Sequence, residues 1–223
     1  MFGFFLSKNM AKVHFFTFNM MQENTYIVYD ETGEAVIIDA GCINANEESR
    51  LAKWLQTNNL RPVRYLCTHC HLDHVFGNAF VCERYGLKAE IHEGELPVLQ
   101  RFELSAQRFG IFKYNAPPLE VLFLKENTEI SFGNTTFKIL FCPGHSPASI
   151  CFYCQKDNFV IGGDVLFEGS IGRTDLPGGN HKQLIQSIEN ELLPLPDATV
   201  VYAGHGQPTT IGQERYSNPF LQK

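Results

Sequence analysis

The stretch Thr68–His74, which reads THCHLDH, places three imidazoles, one carboxylate and one thiol within seven residues. The whole chain has eight histidines, so three of them within six positions need a chemical explanation. Histidine nitrogen and aspartate oxygen are ligands that proteins use for divalent transition metals. We interpret the stretch as part of a metal site, and this interpretation requires further donors elsewhere in the chain.

Further donors follow three apolar segments, each of which ends in a glycine before the donor. The segments are KILFCPGH, NFVIGGD and TVVYAGH, and VRYLCTH has the same layout without the glycine. In α/β sheets, ligands bind beyond the carboxyl ends of the strands, where glycine lets the backbone turn sharply. We therefore expect the donors to converge at one sheet edge. The expected metal ligands are His69, His71, Asp73, His74, His145, Asp164 and His205.

The local spacing predicts two ions rather than one. His69 and His71 are two positions apart, so in extended chain they share a face and can bind one ion together. Asp73 and His74 lie beyond the turn and can face a second ion, and Asp164 can bridge the two. The mixture of carboxylate and imidazole favours Zn²⁺, with iron or manganese as alternatives. Residues that we do not expect to bind metal are Cys70, which alternates to the opposite face, and His14, His92 and His181.

Bulk composition restricts the class of protein. The 223 residues are 44% hydrophobic and 19% charged, which suits one α/β domain spanning residues 1–223. A net charge of −6 argues against binding to nucleic acid, which usually needs a basic face. Seven cysteines, an odd number, indicate reduced thiols rather than a disulfide framework. The pair Cys151 and Cys154 has CxxC spacing, but we assign it to a buried strand.

The N-terminus, MFGFFLSKNM, lacks the basic region and the small-residue cleavage site of a signal peptide. No run in the sequence approaches the ~20 apolar residues that cross a bilayer. We therefore expect a cytoplasmic protein that does not act at a membrane. Residues 1–9 would be a dispensable extension if Met10 is the true start.

Hydrophobic periodicity predicts alternating strands and helices. The predicted helices cover residues 46–58, 77–86, 96–109 and 181–192, and a proline-rich loop covers 115–120. The predicted strands cover residues 13–18, 25–30, 34–41, 63–69, 135–141, 149–155, 158–163 and 199–204.

The motif HxHxDH, followed at a distance by a His, an Asp and a His, resembles the hallmark of the metallo-β-lactamase superfamily. The resemblance covers nearly the whole chain, from NTYIV (24–28) and VIIDAG (36–41) to the last strand. It implies a four-layer αββα sandwich, in which outer helices cover two mixed β-sheets. It also implies two ions, with Asp164 bridging them. The implied ligands are His69, His71 and His145 for one ion, and Asp73, His74 and His205 for the other.

Two further segments, SIGRTDLPGG (170–179) and GHGQPTTIGQERYSNPF (204–220), are similar to single-domain, glyoxalase II-like hydrolases. This resemblance implies hydrolysis of a small, anionic thioester such as a hydroxyacyl-glutathione. A metal-bridging hydroxide would attack the carbonyl, and Asp73 and Asp164 would orient it. Full glyoxalase II enzymes carry a further C-terminal helical domain that helps to hold glutathione. Only a short segment follows His205, so we do not expect glutathione to be recognised in the usual manner.

The role of the GRTD loop stays open between two interpretations. Arg173 either binds a substrate carboxylate near the metal edge or pairs with Asp175 to fix the turn. Lys182 and Arg215 are weaker candidates for anion contacts.

Three other functions are compatible with parts of the sequence. An iron-dependent persulfide dioxygenase would share the GRTD-type loop and use a single metal. Another hydrolase of this scaffold, a lactonase, β-lactamase or nuclease, would use the same donors, although the acidic charge argues against a nuclease. A non-catalytic zinc-binding scaffold is disfavoured because the full set of donors is present.

Overall fold

The strands form two mixed sheets in a computed structural model that describes residues 10–222. The expected extension at residues 1–9 lies outside these described residues. The first sheet consists, in spatial order, of β1 (Lys12–Phe18), β2 (Glu23–Tyr29), β3 (Glu34–Ile38), β4 (Arg61–Leu66), β5 (Ala89–His92) and β6 (Leu122–Leu124). β1 to β3 pair antiparallel, whereas β3 to β6 pair parallel.

The second sheet combines parallel and antiparallel pairs in the same way. In spatial order its strands are β14 (Thr209–Thr210), β13 (Val200–Ala203), β10 (Phe159–Gly163), β9 (Ile150–Cys154), β8 (Thr135–Phe141) and β7 (Glu129–Phe132). β10 and β13 are parallel, and the other neighbours are antiparallel. A short hairpin of β11 (Leu166–Phe167) and β12 (Ser170–Ile171) follows β10.

Helices cover the outer faces of both sheets. Those on the first sheet are α1 (Ala45–Thr57), α2 (Leu72–Val75), α3 (Asn78–Tyr85), α4 (Leu96–Leu99) and α5 (Phe102–Arg108). Those on the second sheet are α6 (His181–Ser187), which continues as a π-helical turn over Ile188–Leu192, and α7 (Ile211–Ser217). α1 begins where the side chain of Asn44 accepts hydrogen bonds from the main-chain N–H groups of Asn46 and Glu47.

The period-two alternation of apolar residues explains the layering. In β2, Tyr26 and Val28 face the second sheet, and Ile27 faces the helices on the other side. Phe137 and Phe152 of the second sheet fill the space between the two sheets. The predicted fold class, a four-layer αββα sandwich with two mixed sheets, is therefore confirmed.

Most predicted elements are present, and the differences have local causes. The predicted helix over residues 96–109 is divided into α4 and α5, with Gln100 and Arg101 between them. β5, β6 and β7 were not predicted from the sequence because each has only three or four residues. The CxxC segment lies in β9 as expected, where Cys151 and Cys154 face opposite sides of the sheet and cannot converge. Among the described residues, no helix combines the length and apolar character needed to span a membrane.

Candidate metal centre

The predicted donors lie where strands of the two sheets end at a common rim. β8, β10 and β13 run in the same direction, so their carboxyl ends meet at one edge of the second sheet. His145, Asp164 and His205 follow these three ends, and His69 follows the end of β4 in the first sheet. Between β4 and α3, the short helix α2 carries Asp73 and His74. The structure thus brings all seven predicted donors together.

One group of donors, the His69 trio, consists of His69, His71 and His145. Their ligand atoms lie within 4.8 Å of one another. His71 Nδ1 is 2.8 Å from His145 Nε2, and the rings of His69 and His71 are perpendicular. This arrangement directs three imidazole nitrogens at one point, as a single ion requires.

The second group, the His205 trio, consists of Asp73, His74 and His205, whose ligand atoms also lie within 4.8 Å of one another. Asp164 lies between the two trios. Its Oδ2 is 3.5 Å from Nε2 of both His145 and His205, and its Oδ1 is 3.4 Å from His74 Nε2. A carboxylate in this position can contact both groups at once, which is the geometry of a bridging ligand.

Buried polar atoms at the centre fit a pair of cations. His69 Nε2, His74 Nε2 and Asp164 Oδ1 are buried without a hydrogen-bond partner. Leaving such an atom unsatisfied costs about 1–3 kcal/mol, and all three atoms face the same space. We propose that the two trios hold two divalent ions, with Asp164 between them.

Acceptors hold the opposite side of three of the imidazoles. His145 Nδ1 donates to the carbonyl oxygen of Arg173 at 2.8 Å, and His205 Nδ1 donates to that of Gln22 at 3.1 Å. His74 Nδ1 lies 3.1 Å from Asp39 Oδ2. With the proton of the neutral imidazole on Nδ1, the Nε2 lone pair of each of these side chains would face the centre, where it can bind metal.

Asp39 is a residue of this site that the sequence interpretation missed. It follows β3, and its carboxylate accepts hydrogen bonds from the main-chain N–H of Thr68 at 2.7 Å and from Thr68 Oγ1 at 2.5 Å. Asp39 is also within 4.8 Å of His69 and His74, but its oxygens are engaged by Thr68 and His74. We therefore assign it an orienting role and not a metal-binding role. The signal in the sequence was VIIDAG, an apolar strand that ends in a carboxylate.

Glu95 is a second residue that was missed. It is fully buried and accepts hydrogen bonds from Cys70 N at 2.9 Å, Ala148 N at 2.8 Å and Ser146 Oγ at 2.7 Å. Cys70 lies between two histidines of the His69 trio, and Ser146 follows the third. Glu95 therefore joins the two loops that supply this trio. An acidic residue at the start of a predicted helix resembles an ordinary surface position, so the sequence contained no signal for this role.

Burial keeps two histidines of the His69 trio neutral. Burial, with the charges of neighbouring imidazoles, lowers the pKa of His69 well below its usual value. Burial and the charge of His145 lower the pKa of His71 to about 3. A neutral imidazole is the form that binds metal, so these side chains are ready to do so at neutral pH.

Carboxylates have the opposite effect on the His205 trio. Burial alone would lower the pKa of His74, but the charges of Asp164 and Asp73 outweigh it and raise this pKa well above its usual value. Hydrogen bonds to Asp164 and Asp73 likewise outweigh burial and raise the pKa of His205 to about 10. Burial would raise the pKa of Asp164, but the charge of His74 and a hydrogen bond from His205 hold it well below its usual value. Without metal, this half of the centre is therefore a network of ion pairs.

Two glycines are required by the close approach of the strands. Gly163 has a φ of +51°, a left-handed conformation that L-residues rarely adopt. A Cβ atom at Gly204 would lie 2.1 Å from Asp164 Oδ1. The predicted pattern of strand, glycine and donor thus has a direct steric cause at these two positions.

A cleft of about 920 Å³ opens above the centre. His71, Asp73, His145, Asp164 and His205 reach its floor. The apolar residues of its wall include Met21, Val98, Phe102, Leu104, Phe109, Phe167 and Leu176, and its basic residues are Arg101, Arg108 and Arg173.

The structure separates the sequence candidates for anion contacts. Arg173 lines the cleft, as binding of a substrate carboxylate would require. It also forms two hydrogen bonds of 2.7 Å with Asp175, as fixing of the turn would require. Lys182 and Arg215 do not line the cleft, and Arg215 instead pairs with Asp197 at 3.0 Å. These two weaker candidates for anion contacts are therefore not part of the cleft wall.

The residues that were not expected to bind metal lie elsewhere. The side chain of Cys70 packs in the apolar layer between the first sheet and its helices. His14 stacks on Trp54 at 4.0 Å, and His92 pairs with Glu126. His181 is exposed at the start of α6.

Known proteins resemble this chain in sequence and in structure. It is 38% identical over 201 residues to the hydroxyacylglutathione hydrolase GloC of Haemophilus influenzae, an alignment that covers 90% of this chain and 93% of that protein. The crystal structure of the B3 metallo-β-lactamase BLEG-1 matches with a TM-score of 0.86 and 38% identity, covering 95% of this chain and all of the other. The crystal structure of TTHA1623 in a di-iron-bound form matches with a TM-score of 0.84 and 39% identity, covering 93% of this chain and all of the other.

The family model of the metallo-β-lactamase superfamily matches residues 19–205, which include every candidate ligand from His69 to His205. The match agrees with the αββα layers and with the His and Asp groups at the common strand rim. The chain belongs to the metallo-β-lactamase superfamily.

Proposed function

We propose that this protein is a thioester hydrolase of the glyoxalase II type, acting on small, anionic acyl thioesters. The observation that carries the proposal is the position of Asp164 between two trios of donors on the floor of a cleft whose wall contains Arg173. The similarity to a hydroxyacylglutathione hydrolase supports the same substrate class. Zn²⁺ is the proposed metal because the donors are imidazoles and carboxylates, and the similar di-iron structure makes iron the alternative.

Two divalent ions held here would supply a Lewis acid for the thioester carbonyl and would lower the pKa of water from about 15.7 toward neutrality. Asp73 and Asp164 would fix the direction of attack, because their oxygens lie at the cleft floor and can accept a hydrogen bond from the attacking water. The thiolate that leaves has a pKa of about 8.5 and needs no strong proton donor. Apolar side chains on the cleft wall, such as Phe102 and Phe167, would exclude bulk water from the acyl group.

The test compares metal-stripped protein with protein reloaded with Zn²⁺ or with Fe²⁺. We expect the reloaded protein to release glutathione from S-lactoylglutathione, as a thiol reagent detects, and the stripped protein to be inactive. The His181→Ala variant is the control, because this exposed histidine lies outside the centre; it should keep wild-type activity.

Two further substrates separate the rival functions. Oxygen uptake with glutathione persulfide would identify a dioxygenase, and ring opening of a cephalosporin would identify a β-lactamase, which the similarity to BLEG-1 makes the second candidate. If either reaction proceeds while S-lactoylglutathione is left intact by both metal forms, the proposed function is wrong.

A further inference from the structure

One wall of the cleft presents two arginines on a single face of α5. Arg101 directly precedes the helix, and Leu104, Ser105 and Arg108 follow it by three, four and seven residues, so the four side chains share a face. All four line the cleft. Seven positions separate the two arginines, which corresponds to a rise of about 10 Å along a helix. The face therefore carries two positive charges with an apolar side chain between them.

These two guanidinium groups have no partner in the protein. Within residues 10–222, neither Arg101 nor Arg108 forms a side-chain hydrogen bond or an ion pair, and both are exposed. Arg173, which also lines the cleft, is by contrast engaged by both oxygens of Asp175. Glu103, the acidic residue of α5, is not part of the cleft wall. Arg101 and Arg108 are thus the basic groups of the cleft that no acidic side chain engages.

The negative net charge of the chain makes local positive charge at the cleft important for binding an anion. A chain with a net charge of −6 does not attract anions as a whole, so an anionic substrate needs local positive charge at the cleft. A guanidinium group binds a carboxylate or a phosphate through two parallel hydrogen bonds. Two such groups on one helix face, attached at backbone positions about 10 Å apart, match a ligand with two separate anionic groups joined by a less polar segment.

We infer that Arg101 and Arg108 are specificity-determining residues, which bind two anionic groups on the thiol carrier of the thioester substrate. This inference rests on the proposed thioester hydrolysis and defines its substrate class: an acyl thioester of a thiol that carries at least two negative charges. Leu104, between the arginines, contacts the connecting part of the carrier. The acyl end then points to the floor, where Asp164 and the two trios lie.

Three lactoyl thioesters with different thiols test the inference. S-lactoylglutathione carries two carboxylates, lactoyl-coenzyme A carries phosphates, and the lactoyl thioester of N-acetylcysteamine is neutral. In the Arg101→Ala/Arg108→Ala double variant, we expect KM for the preferred anionic substrate to rise at least about tenfold and kcat to change less than about twofold, because only binding is lost. The neutral thioester should be cleaved as by the wild type. The anionic substrate whose KM rises more in the double variant shows whether carboxylates or phosphates are bound.

Controls and a second readout keep the inference falsifiable. Lys182→Ala removes an exposed positive charge outside the cleft and should leave all three KM values unchanged. Lysine at positions 101 and 108 should restore part of the lost affinity, since the charge returns without the fork geometry. Calorimetry with S-hexylglutathione, a thioether that cannot be hydrolysed, should show weaker binding to the double variant and an affinity that falls with salt.

The possible results separate the inference from the proposed function. If KM rises equally for the neutral and the anionic thioesters, or for none of them, Arg101 and Arg108 do not bind the carrier and the inference is overturned, while thioester hydrolysis stands. If the wild-type protein cleaves none of the three thioesters, the proposed function is wrong and the inference falls with it.

Discussion

His145 Nδ1 lies 2.8 Å from the main-chain carbonyl oxygen of Arg173. This contact connects a proposed metal ligand after β8 with the GRTD loop after β12. Because the bond uses the carbonyl of Arg173, the guanidinium group remains at the cleft, where it pairs with Asp175. The contact with the imidazole and the position at the cleft thus belong to different atoms of one residue.

Replacing the side chain of Arg173 therefore has a different effect from disturbing its carbonyl. We expect Arg173→Ala to keep the wild-type metal content and thermal stability, since the ion pair with Asp175 is exposed and contributes little. KM for an anionic thioester should rise several-fold. Asp175→Asn, the matched variant, breaks the same pair but leaves the positive charge, so its KM should stay near the wild-type value. Loss of metal from both variants would instead show that the pair fixes the turn around His145.

Asp39 should control metal affinity without binding metal. Asp39→Asn weakens the hydrogen bonds from Thr68 and His74, and such changes typically lower metal affinity by about 10–100-fold. Asp30→Asn is the control, because Asp30 is also buried and accepts hydrogen bonds from Thr32, Asn134 and Thr135. Both variants should be destabilised, but only Asp39→Asn should bind Zn²⁺ more weakly in a chelator competition. Equal Zn²⁺ affinities of the two variants would show that Asp39 has no role in the metal site.

Glu95 should act mainly on the His69 trio. In Glu95→Gln, an amide NH2 replaces one acceptor oxygen and opposes the donor on that side, which is Cys70 N at Oε2 or Ala148 N at Oε1. We expect Glu95→Gln to lose the ion of the His69 trio before the other ion on dialysis. Glu214→Gln is a matched control, because this buried glutamate accepts three hydrogen bonds, from Gly169, Thr209 and Asn218, and none of these donors adjoins a ligand. If both variants retain two ions, Glu95 has only a structural role.

The sequence predicted the donors because their signals are local. His69, His71 and the endings at Asp164 and His205 are recognised from period-two spacing and from a glycine before the donor. The strand before Asp164, β10, is an apolar run that is buried along its whole length, so its position was also predicted correctly.

Long-range contacts explain what the sequence did not predict. Asp39 meets Thr68 across 29 positions, and Glu95 meets Ser146 across 51. No spacing rule connects residues so far apart, and each carboxylate is consistent with a simple turn or helix start. Arg101 and Arg108 likewise resemble an ordinary solvated helix face until the fold places them on the cleft.

Metal binding should release protons. Asp164 and Asp73 raise the pKa of His74 well above its usual value and that of His205 to about 10, so we expect both imidazoles to carry a proton in the metal-free protein at pH 7. A ligand imidazole must be neutral, so loading the His205 trio at pH 7 should release about two protons. Calorimetry in buffers of different ionisation enthalpy measures this number. Release of none would mean that these imidazoles are already neutral.

The stability of the metal-free protein should depend on pH for the same reason. The folded pKa of His205 is about 10, above an unfolded value of about 6.5. Its contribution to the free energy of unfolding is therefore fully present below about pH 6.5 and is lost as the pH rises toward 10. The folded pKa of Asp164 is depressed, so this residue contributes to the free energy of unfolding above about pH 3.9. Its contribution is lost as the pH falls through the folded pKa of Asp164. The loss of the His205 contribution is measured by comparing the denaturation midpoints of the metal-stripped protein at pH 7 and pH 9.5; this loss acts to lower the midpoint at pH 9.5.

The most direct test of the account is the metal content of the wild-type protein and of Asp164→Asn, each reloaded with Zn²⁺, desalted and measured by mass spectrometry together with its thioesterase rate. We expect two ions in the wild type, and in Asp164→Asn a loss of metal together with a loss of nearly all hydrolysis of S-lactoylglutathione. Asp164→Asn protein that keeps two ions and the wild-type rate would contradict the claim that Asp164 joins the two halves of a dinuclear centre.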